Sequence, residues 1–269
     1  MWFDSHCHLN LPGFGAAPEE VWSEAQNGGV SRVFVPGVDP SEWGEATWAT
    51  QPGMSTGVGL HPFTLERWAQ DDELSRVDVA LTQLERAARS RQHVAIGECG
   101  WDKPLALRCP RLSLDYQTSI VTSHLQLAAE LDLPIVLHVV HAHGLALETL
   151  KRFRLRRGGI VHCFSGHAEL VATYCRLGFS LGYGTQLVRP NADKARAALR
   201  TTPLERIVLE TDAPWHVTRG RLPNSPLAVI DVAHIVSRAL GLPLEVLAEL
   251  TFANASGVLS EPLGSTVSR

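Results

Sequence analysis

The chain has 269 residues, of which 45% are hydrophobic and 19% are charged, and its formal net charge is −4. This composition supplies a sizeable apolar core and excludes a disordered chain, and the length suits one α/β barrel, so we expect a single domain over residues 1–269. The slightly acidic balance excludes an overall basic field, so any polyanionic partner would have to meet a local basic patch.

The N-terminal residues and the cysteine pattern indicate the cellular compartment in which the protein works. The opening MWFDSHCHL lacks the features of a secretory signal, and no apolar stretch in the sequence is long enough to span a bilayer. The five cysteines are an odd number without CxxC spacing, which fits a reducing environment. We therefore expect a cytoplasmic protein with no membrane contact and no obligate protein partner.

Eight short β-rich runs follow one another along the chain, with segments of helical periodicity between them. The predicted strands are residues 2–6, 32–38, 55–61, 93–98, 134–139, 159–164, 179–184 and 206–212. This count predicts the α/β class and a (β/α)8 TIM barrel. An open doubly wound sheet is the alternative, but no GxGxxG follows the first strand. Residues 101–113, rich in proline and arginine, are predicted to be a long loop on the catalytic side.

Two histidines follow directly from the first predicted strand. In an extended strand, residues two apart face the same side, so His6 and His8 can point together while Cys7 points away. This is the simplest spacing for two metal ligands, although two of the twelve histidines could lie this close by chance. The pair by itself leaves both interpretations open.

Ionisable residues also close other predicted strands, and in a barrel the carboxyl ends of all strands meet at one face. These residues end buried apolar runs, where an unpaired charge is costly and a shared cation would remove that cost. They are Glu98, His138, His162 and Asp212. Four imidazoles and two carboxylates suit Zn²⁺, Mn²⁺, Fe²⁺ or Ni²⁺, while Mg²⁺ prefers more oxygens. Six ligands exceed one tetrahedral site, so we expect two cations bridged by a carboxylate, an arrangement suited to phosphodiester hydrolysis.

Six motifs in this order and spacing resemble those of the TatD family of metal-dependent hydrolases. They are DSHCHL, GLHP, IGECGWD, LPIVLH, VHCFSG and LETDAP, and together they cover nearly the whole chain. The resemblance implies a (β/α)8 barrel of the amidohydrolase type, in agreement with the independent strand count. It also implies divalent metal cations as cofactors, two per chain, with Zn, Mg or Mn as the candidates.

Carried over to this sequence, the resemblance implies one cation held by four residues: His6, His8, Glu98 and Asp212. It implies that Glu98 bridges to a second cation, completed by His138 and His162. Asp212 would be the general base that orients a water, and His61 would contact the scissile phosphate from the rim. The catalytic residues so implied are Asp212, Glu98 and His61, while Asp4 would orient His6 or His8.

Two positions depart from the family pattern and bear on the substrate. The family commonly has leucine where this chain has Trp101, which could stack on a base or pack as a larger apolar residue. Many members carry arginine in the segment after His138, where this chain has His141. We expect the missing arginine to weaken a phosphate contact, and the added histidine could alter occupancy of the second metal.

Basic residues in segments that follow strands are candidate phosphate contacts at the mouth of the barrel. They are Arg67, Lys103, Arg108, Arg111, Arg189, Arg219 and Arg221. Three aromatic residues next to predicted ligands could stack on bases or form the pocket wall: Trp101, Phe164 and Trp215. The predicted substrate-binding set is Trp101, Lys103, Arg108, His141, Arg219 and Arg221.

The function predicted on these grounds is that of a TatD-type deoxyribonuclease, with DNA as its partner. A barrel mouth rather than a long groove favours a strand end, hence an exonuclease. One alternative is hydrolysis of esters or amides, including aminoacyl-tRNA esters, by the same metal-lined barrel. Another is a metal-loaded binding protein without turnover, which the presence of Asp212 and of both ligand sets disfavours.

Overall fold

A computed structural model describes residues 1–43, 51–90, 92–189, 192–215 and 224–259. Eight parallel strands form one sheet and pair in chain order. They are β1 (Trp2–Asp4), β2 (Val30–Val35), β3 (Met54–Val58), β4 (Ala95–Asp102), β5 (Ile135–Val140), β6 (Gly159–Val161), β7 (Phe179–Tyr183) and β8 (Ile207–Leu209).

The sheet curls until its two edge strands nearly meet. The Ser5 N–H donates to the Leu209 carbonyl at 2.9 Å, and the Asp212 N–H donates to the His6 carbonyl at 2.9 Å. These bonds join the segments that leave β1 and β8, so the eight strands form a nearly closed barrel. The predicted (β/α)8 TIM barrel is confirmed, and the doubly wound alternative is wrong.

Helices lie between the strands on the outside of the barrel. Those within the described ranges are α1 (Pro18–Asn27), α2 (Pro62–Gln70), α3 (Val77–Arg89), α4 (Lys103–Arg108), α5 (Leu114–Leu131), α6 (His143–Leu150), α7 (Ala168–Arg176), α8 (Asp193–Thr201), α9 (Ala228–Leu240) and α10 (Leu244–Val258). None of these helices combines the length and the apolar character needed to cross a membrane.

The alternation of side chains along the strands separates two apolar layers. One buried cluster fills the barrel interior and includes Phe3, Phe34, Val136, Ile160 and Val208. The second, larger cluster packs the outer faces of the strands against the helices. Because successive residues of a strand face opposite sides, polar residues two positions after an interior residue point into the same interior.

The predicted loop over residues 101–113 is wrong. β4 continues to Asp102, and residues 103–108 form α4. Proline is tolerated in the first turn of a helix, where its missing N–H has no partner to lose, and Pro104 occupies that turn. The Asp102 side chain accepts a hydrogen bond from the Leu105 N–H at 2.7 Å and so caps the helix.

Candidate metal centre

Glu98, on the inner side of β4, stands between two groups of histidines. Its Oε2 lies 3.0 Å from Nε2 of His6 and 3.5 Å from Nε2 of His8. Its Oε1 lies 2.8 Å from Nε2 of His162 and 3.1 Å from Nδ1 of His138. The two oxygens of one carboxylate therefore face two separate sets of imidazole nitrogens.

The elements that carry these side chains explain why they converge. His138 comes two residues after the interior Val136 of β5, and His162 comes two residues after the interior Ile160 of β6. Asp212 follows β8 with a positive φ of 54°, and its Oδ1 lies 3.3 Å from Nε2 of His8. Strand periodicity thus aims His138 and His162 at one point, and the segments that follow β1 and β8 bring His8 and Asp212 to the same point.

The electrostatics of the cluster match a cation site. Burial lowers the pKa of His6 to about 4, so its imidazole is neutral and keeps a lone pair. Burial by itself disfavours the Glu98 carboxylate, but His162, His61 and His6 outweigh it and hold the pKa of Glu98 well below its ordinary value. The centre therefore combines an ionised carboxylate with imidazole donors.

The donor set fits a divalent metal. Nε2 of His6 and Nε2 of His8 lie 3.2 Å apart, and Nδ1 of His138 and Nε2 of His162 also lie 3.2 Å apart. Three triads have ligand atoms close enough to share an ion: His6–His8–Asp212, His6–Glu98–His162 and His61–Glu98–His138. Converging imidazole and carboxylate atoms in a buried pocket are what Zn²⁺ and related cations require.

His61 joins this centre from the start of α2. The Phe63 N–H donates to Nδ1 of His61 at 3.0 Å, so the ring caps the helix and its proton resides on Nε2. That Nε2 lies 3.2 Å from Oε1 of Glu98, and burial lowers the pKa of His61. His61 is thus a neutral imidazole that presents an N–H donor to the centre.

Asp102 is a site residue that the sequence interpretation missed. Its Oδ2 lies 3.3 Å from Nε2 of His138, on the opposite side of the ring from Glu98. Burial disfavours the imidazolium of His138, yet the hydrogen bonds to Asp102 and Glu98 prevail and raise its pKa to about 9. The signal was available, because Glu98 and Asp102 lie four apart on one strand and share a face.

Glu210 was also missed, although it lies two residues from Asp212 and from the interior Val208. It is fully buried, accepts a hydrogen bond from the Cys163 N–H, and its Oε1 lies 3.8 Å from Nδ1 of His162. Burial raises the pKa of Glu210 well above its ordinary value. Glu210 therefore lies behind the His162 ring, although the 3.8 Å separation is too long for a hydrogen bond between them.

Asp4 contacts backbone N–H groups and the Thr211 hydroxyl rather than an imidazole ring. Its carboxylate accepts hydrogen bonds from the Thr211 N–H and hydroxyl and, at 3.3 Å, from the His6 N–H. Burial raises the pKa of Asp4 to about 7. Asp4 therefore ties the end of β1 to the segment after β8, which positions the peptide of His6 and leaves ring orientation to other groups.

A cavity of about 580 Å³ opens above the cluster. Its polar wall includes His8, His61, Glu98, His138, His162 and Asp212. Three apolar residues, Leu11, Val38 and Val140, contribute to its wall, and Phe63, Arg67 and Trp215 line it as well. The candidate ligands are therefore accessible to a substrate.

The structure contradicts several predicted substrate contacts. Trp101 is fully buried, and its indole N–H donates to Thr118 of α5 at 2.9 Å, so it has no face for a base. It packs as a large apolar residue, because β4 places its side chain against the helix layer. Phe164 is likewise fully buried.

The basic candidates lie in different places. Arg67 lines the cavity, whereas Arg108 forms a two-pronged ion pair with Glu66 (2.6 and 2.9 Å). Lys103 and His141 are exposed and lie outside the cavity wall described above. Two of the remaining candidates, Arg219 and Arg221, fall outside the described residues. Two more are exposed and off the wall: Arg111, which pairs with Asp72 at 2.9 Å, and Arg189.

Comparison with known proteins agrees with this geometry. The family model described as TatD related DNase matches residues 3–260. The chain belongs to the TatD family. It is 30% identical over 265 residues to the uncharacterized metal-dependent hydrolase YjjV of Escherichia coli (strain K12), covering 96% of this chain and 98% of that protein.

Two further matches extend the comparison. The crystal structure of YjjV, a TatD homolog from Escherichia coli K12, superposes with a TM-score of 0.85 at 28% identity, covering 97% of this chain and 98% of that one. The 3'-5' ssDNA/RNA exonuclease TatD of Pantoea sp. (strain At-9b) is 31% identical over 227 residues, covering 82% of this chain and 83% of that protein. This TatD-family chain is a metal-dependent hydrolase.

Proposed function

We propose that this TatD-family hydrolase cleaves phosphodiester bonds of DNA at the end of a single strand, using two divalent cations. The observation that carries the proposal is the placement of Glu98, whose Oε2 faces His6 and His8 while its Oε1 faces His138 and His162. A carboxylate so placed suits a bridge between two cations, which is the arrangement suited to in-line displacement at phosphorus.

The proposed ligands divide into two sets that share Glu98. One cation would be held by His6, His8, Glu98 and Asp212, and the other by Glu98, His138 and His162. Cations bound there would make a water more acidic and would offset negative charge on the phosphoryl oxygens. Zn²⁺, Mg²⁺ and Mn²⁺ are the candidates, and the nitrogen-rich second set favours Zn²⁺ or Mn²⁺ there.

Three side chains of the cavity are proposed to handle the proton, the developing charge and the phosphate backbone. Asp212 lines the cavity, and its carboxylate is placed to accept a proton from a water and to orient it toward phosphorus. The N–H on Nε2 of His61 is placed to donate to a phosphoryl oxygen as charge develops there. Arg67 supplies positive charge at the mouth, where the phosphate backbone would enter.

The nuclease assignment has support from relatives. Several proteins 27–31% identical to this chain are named 3'-5' ssDNA/RNA exonuclease TatD. These names describe those proteins, and membership of the same family supports the same chemical class of bond for this chain. RNA is therefore a substrate to be compared with DNA in the test.

The test supplies Mg²⁺, Mn²⁺ or Zn²⁺ in turn and offers labelled single-stranded DNA, duplex DNA, RNA and small esters. Wild type should cut single-stranded DNA, and Asp212→Asn should lower the rate by about 10²- to 10⁴-fold. Glu98→Gln should lose both activity and bound metal, measured by elemental analysis after dialysis. Glu85→Gln, which changes an exposed carboxylate on α3, is the matched control and should match wild type.

Each alternative has its own outcome in this test. Hydrolysis of small esters without cleavage of any nucleic acid would contradict the nuclease proposal and indicate an esterase. Bound metal without any turnover would make the chain a binding protein. Two equivalents of metal in wild type and none in Glu98→Gln would support the bridging role whichever substrate is cut.

A further inference from the structure

Two aromatic side chains of the described residues are exposed, and both line the cavity above the candidate metal centre. Phe63 is 51% exposed and Trp215 is 52% exposed. Aromatic rings bury large areas and are normally packed inside a protein, as Trp101 and Phe164 are here. Exposed rings confined to a substrate cavity indicate a surface kept open for a ligand.

Phe63 lies directly against the metal centre. Its ring centroid is 4.9 Å from that of His61 and 5.8 Å from that of His138, in edge-to-face arrangements. A planar group stacked on Phe63 would therefore be next to the groups that are proposed to act on the phosphate. The base and the phosphate of one nucleotide, or of two adjoining ones, have this relationship.

The same face of α2 also carries positive charge. Arg67 is four residues after Phe63 and so lies one helical turn further along the same stripe, where it lines the cavity. Its guanidinium pairs with Asp39 at 2.6 Å while the side chain stays 59% exposed. The guanidinium carbon of Arg108 lies 6.0 Å from the Phe63 ring centroid, which supports the ring from α4.

We propose that Phe63 is a stacking platform for an unpaired nucleobase beside the bond that is cut. Arg67 contacts the adjoining backbone phosphate, and Trp215, after β8, supplies a second ring surface. A base within a duplex already has both faces covered, so the platform selects single strands and tolerates any base sequence. This inference rests on the proposed nuclease function and specifies how its substrate is held.

The experiment compares binding of an oligonucleotide that carries all of its bases with binding of one that lacks two of them. One probe is a fluorescein-labelled thymidine octamer, and the other replaces its two 3'-terminal nucleosides with abasic tetrahydrofuran units. Both carry phosphorothioate linkages that resist hydrolysis, so binding to the Mn²⁺-supplied enzyme is measured by fluorescence anisotropy. Phe63→Ala should weaken binding of the intact octamer by about 5- to 100-fold and leave binding of the abasic probe unchanged.

Matched variants separate stacking from other effects. Phe63→Tyr keeps a ring and should restore binding, whereas Phe63→Leu keeps apolar area without a ring and should not. Trp215→Ala should also reduce the preference for the intact probe. Val79→Ala removes an exposed apolar side chain from α3, away from the cavity, and should have no effect. The Phe63 group that donates to Nδ1 of His61 is its backbone N–H, so all of the Phe63 variants keep that bond.

The outcomes distinguish failure of the stacking platform from failure of the proposed nuclease function. If wild type neither binds nor cleaves any oligonucleotide, the nuclease proposal and the stacking platform are both overturned. If wild type cleaves DNA but Phe63→Ala weakens the intact and abasic probes equally, the platform alone is overturned. If Phe63→Ala raises KM only for small apolar esters, the ring serves an ester substrate instead.

Discussion

Replacing Asp102 with asparagine should separate metal binding from fold stability. The carboxylate has two tasks on two oxygens: Oδ1 accepts from the Leu105 N–H at 2.7 Å, and Oδ2 lies 3.3 Å from Nε2 of His138. Asparagine is as good a helix cap as aspartate, so α4 should keep its cap. Its amide NH₂ would face Nε2 of His138, which favours the tautomer with the proton on Nδ1, the atom that faces Glu98.

The magnitudes follow from these contacts. Loss of a group that orients a metal-binding histidine typically weakens metal affinity about 10- to 100-fold, and loss of a helix cap costs about 1 kcal/mol. We therefore expect Asp102→Asn to bind the cation at His138 about 10- to 100-fold more weakly, with a free energy of unfolding within about 0.5 kcal/mol of wild type. Asp102→Ala should lose both affinity and about 1 kcal/mol of stability.

The assay combines calorimetric titration of Zn²⁺ or Mn²⁺ into chelator-treated protein with urea unfolding of the same preparations. Binding of one of the two cations about 10- to 100-fold more weakly in Asp102→Asn, at unchanged stability, is the expected result. Unchanged affinity in Asp102→Asn would refute the role of Asp102 in orienting His138. Equal losses of stability in both variants would instead refute the assignment of the cap to the retained oxygen.

Three further predictions test buried positions. The pKa of His124 is about 4 in the fold against 6.5 in the unfolded chain, because burial disfavours its charge, so the unfolded state binds the proton first as pH falls. Titration of His124 should therefore cost about 3 kcal/mol of stability between pH 6.5 and 4, and urea titrations over this range should show a smaller loss in His124→Gln than in wild type. Gly182→Ala would drive a Cβ into the buried Glu210 carboxylate and should lower the free energy of unfolding by about 1–3 kcal/mol. Gly144→Ala on α6 meets open space and should raise the free energy of unfolding by about 0.4–1 kcal/mol. Equal effects of the two substitutions in thermal unfolding would contradict the packing around Glu210. Trp101→Phe removes the indole N–H that donates to Thr118, and it should lower the free energy of unfolding by about 1–3 kcal/mol while KM for DNA stays unchanged. A raised KM would indicate that Trp101 contacts the substrate.

The sequence anticipated the convergence at the metal centre because that convergence depends on a local rule. His138 and His162 each follow an interior apolar residue by two positions, whereas Glu98 lies in the middle of β4 and Asp212 lies three residues after β8. Period-two alternation and a common barrel face bring the two histidines together, but Ile96 packs in the outer layer, so a register shift between Ile96 and Cys99 is what turns Glu98 inward. The strand ends were harder to predict: β8 ends at Leu209 although the predicted strand continued to residue 212. Asp212, three residues further on, has a positive φ of 54°, which the residue types of that motif do not predict.

By itself, the sequence determined the eight-stranded barrel, the TatD family and most of the side chains that meet at its mouth, because these rest on periodicity, motif order and strand direction. Only the tertiary structure decided which ring nitrogen of each histidine faces Glu98. It also decided that Trp101 is buried against α5 and that Phe63 is exposed. These properties depend on contacts between residues distant in sequence, since exposure and hydrogen-bond partners are set by whichever neighbours the packed helices supply. Strand periodicity fixes the direction of a side chain, and packing decides what that side chain meets.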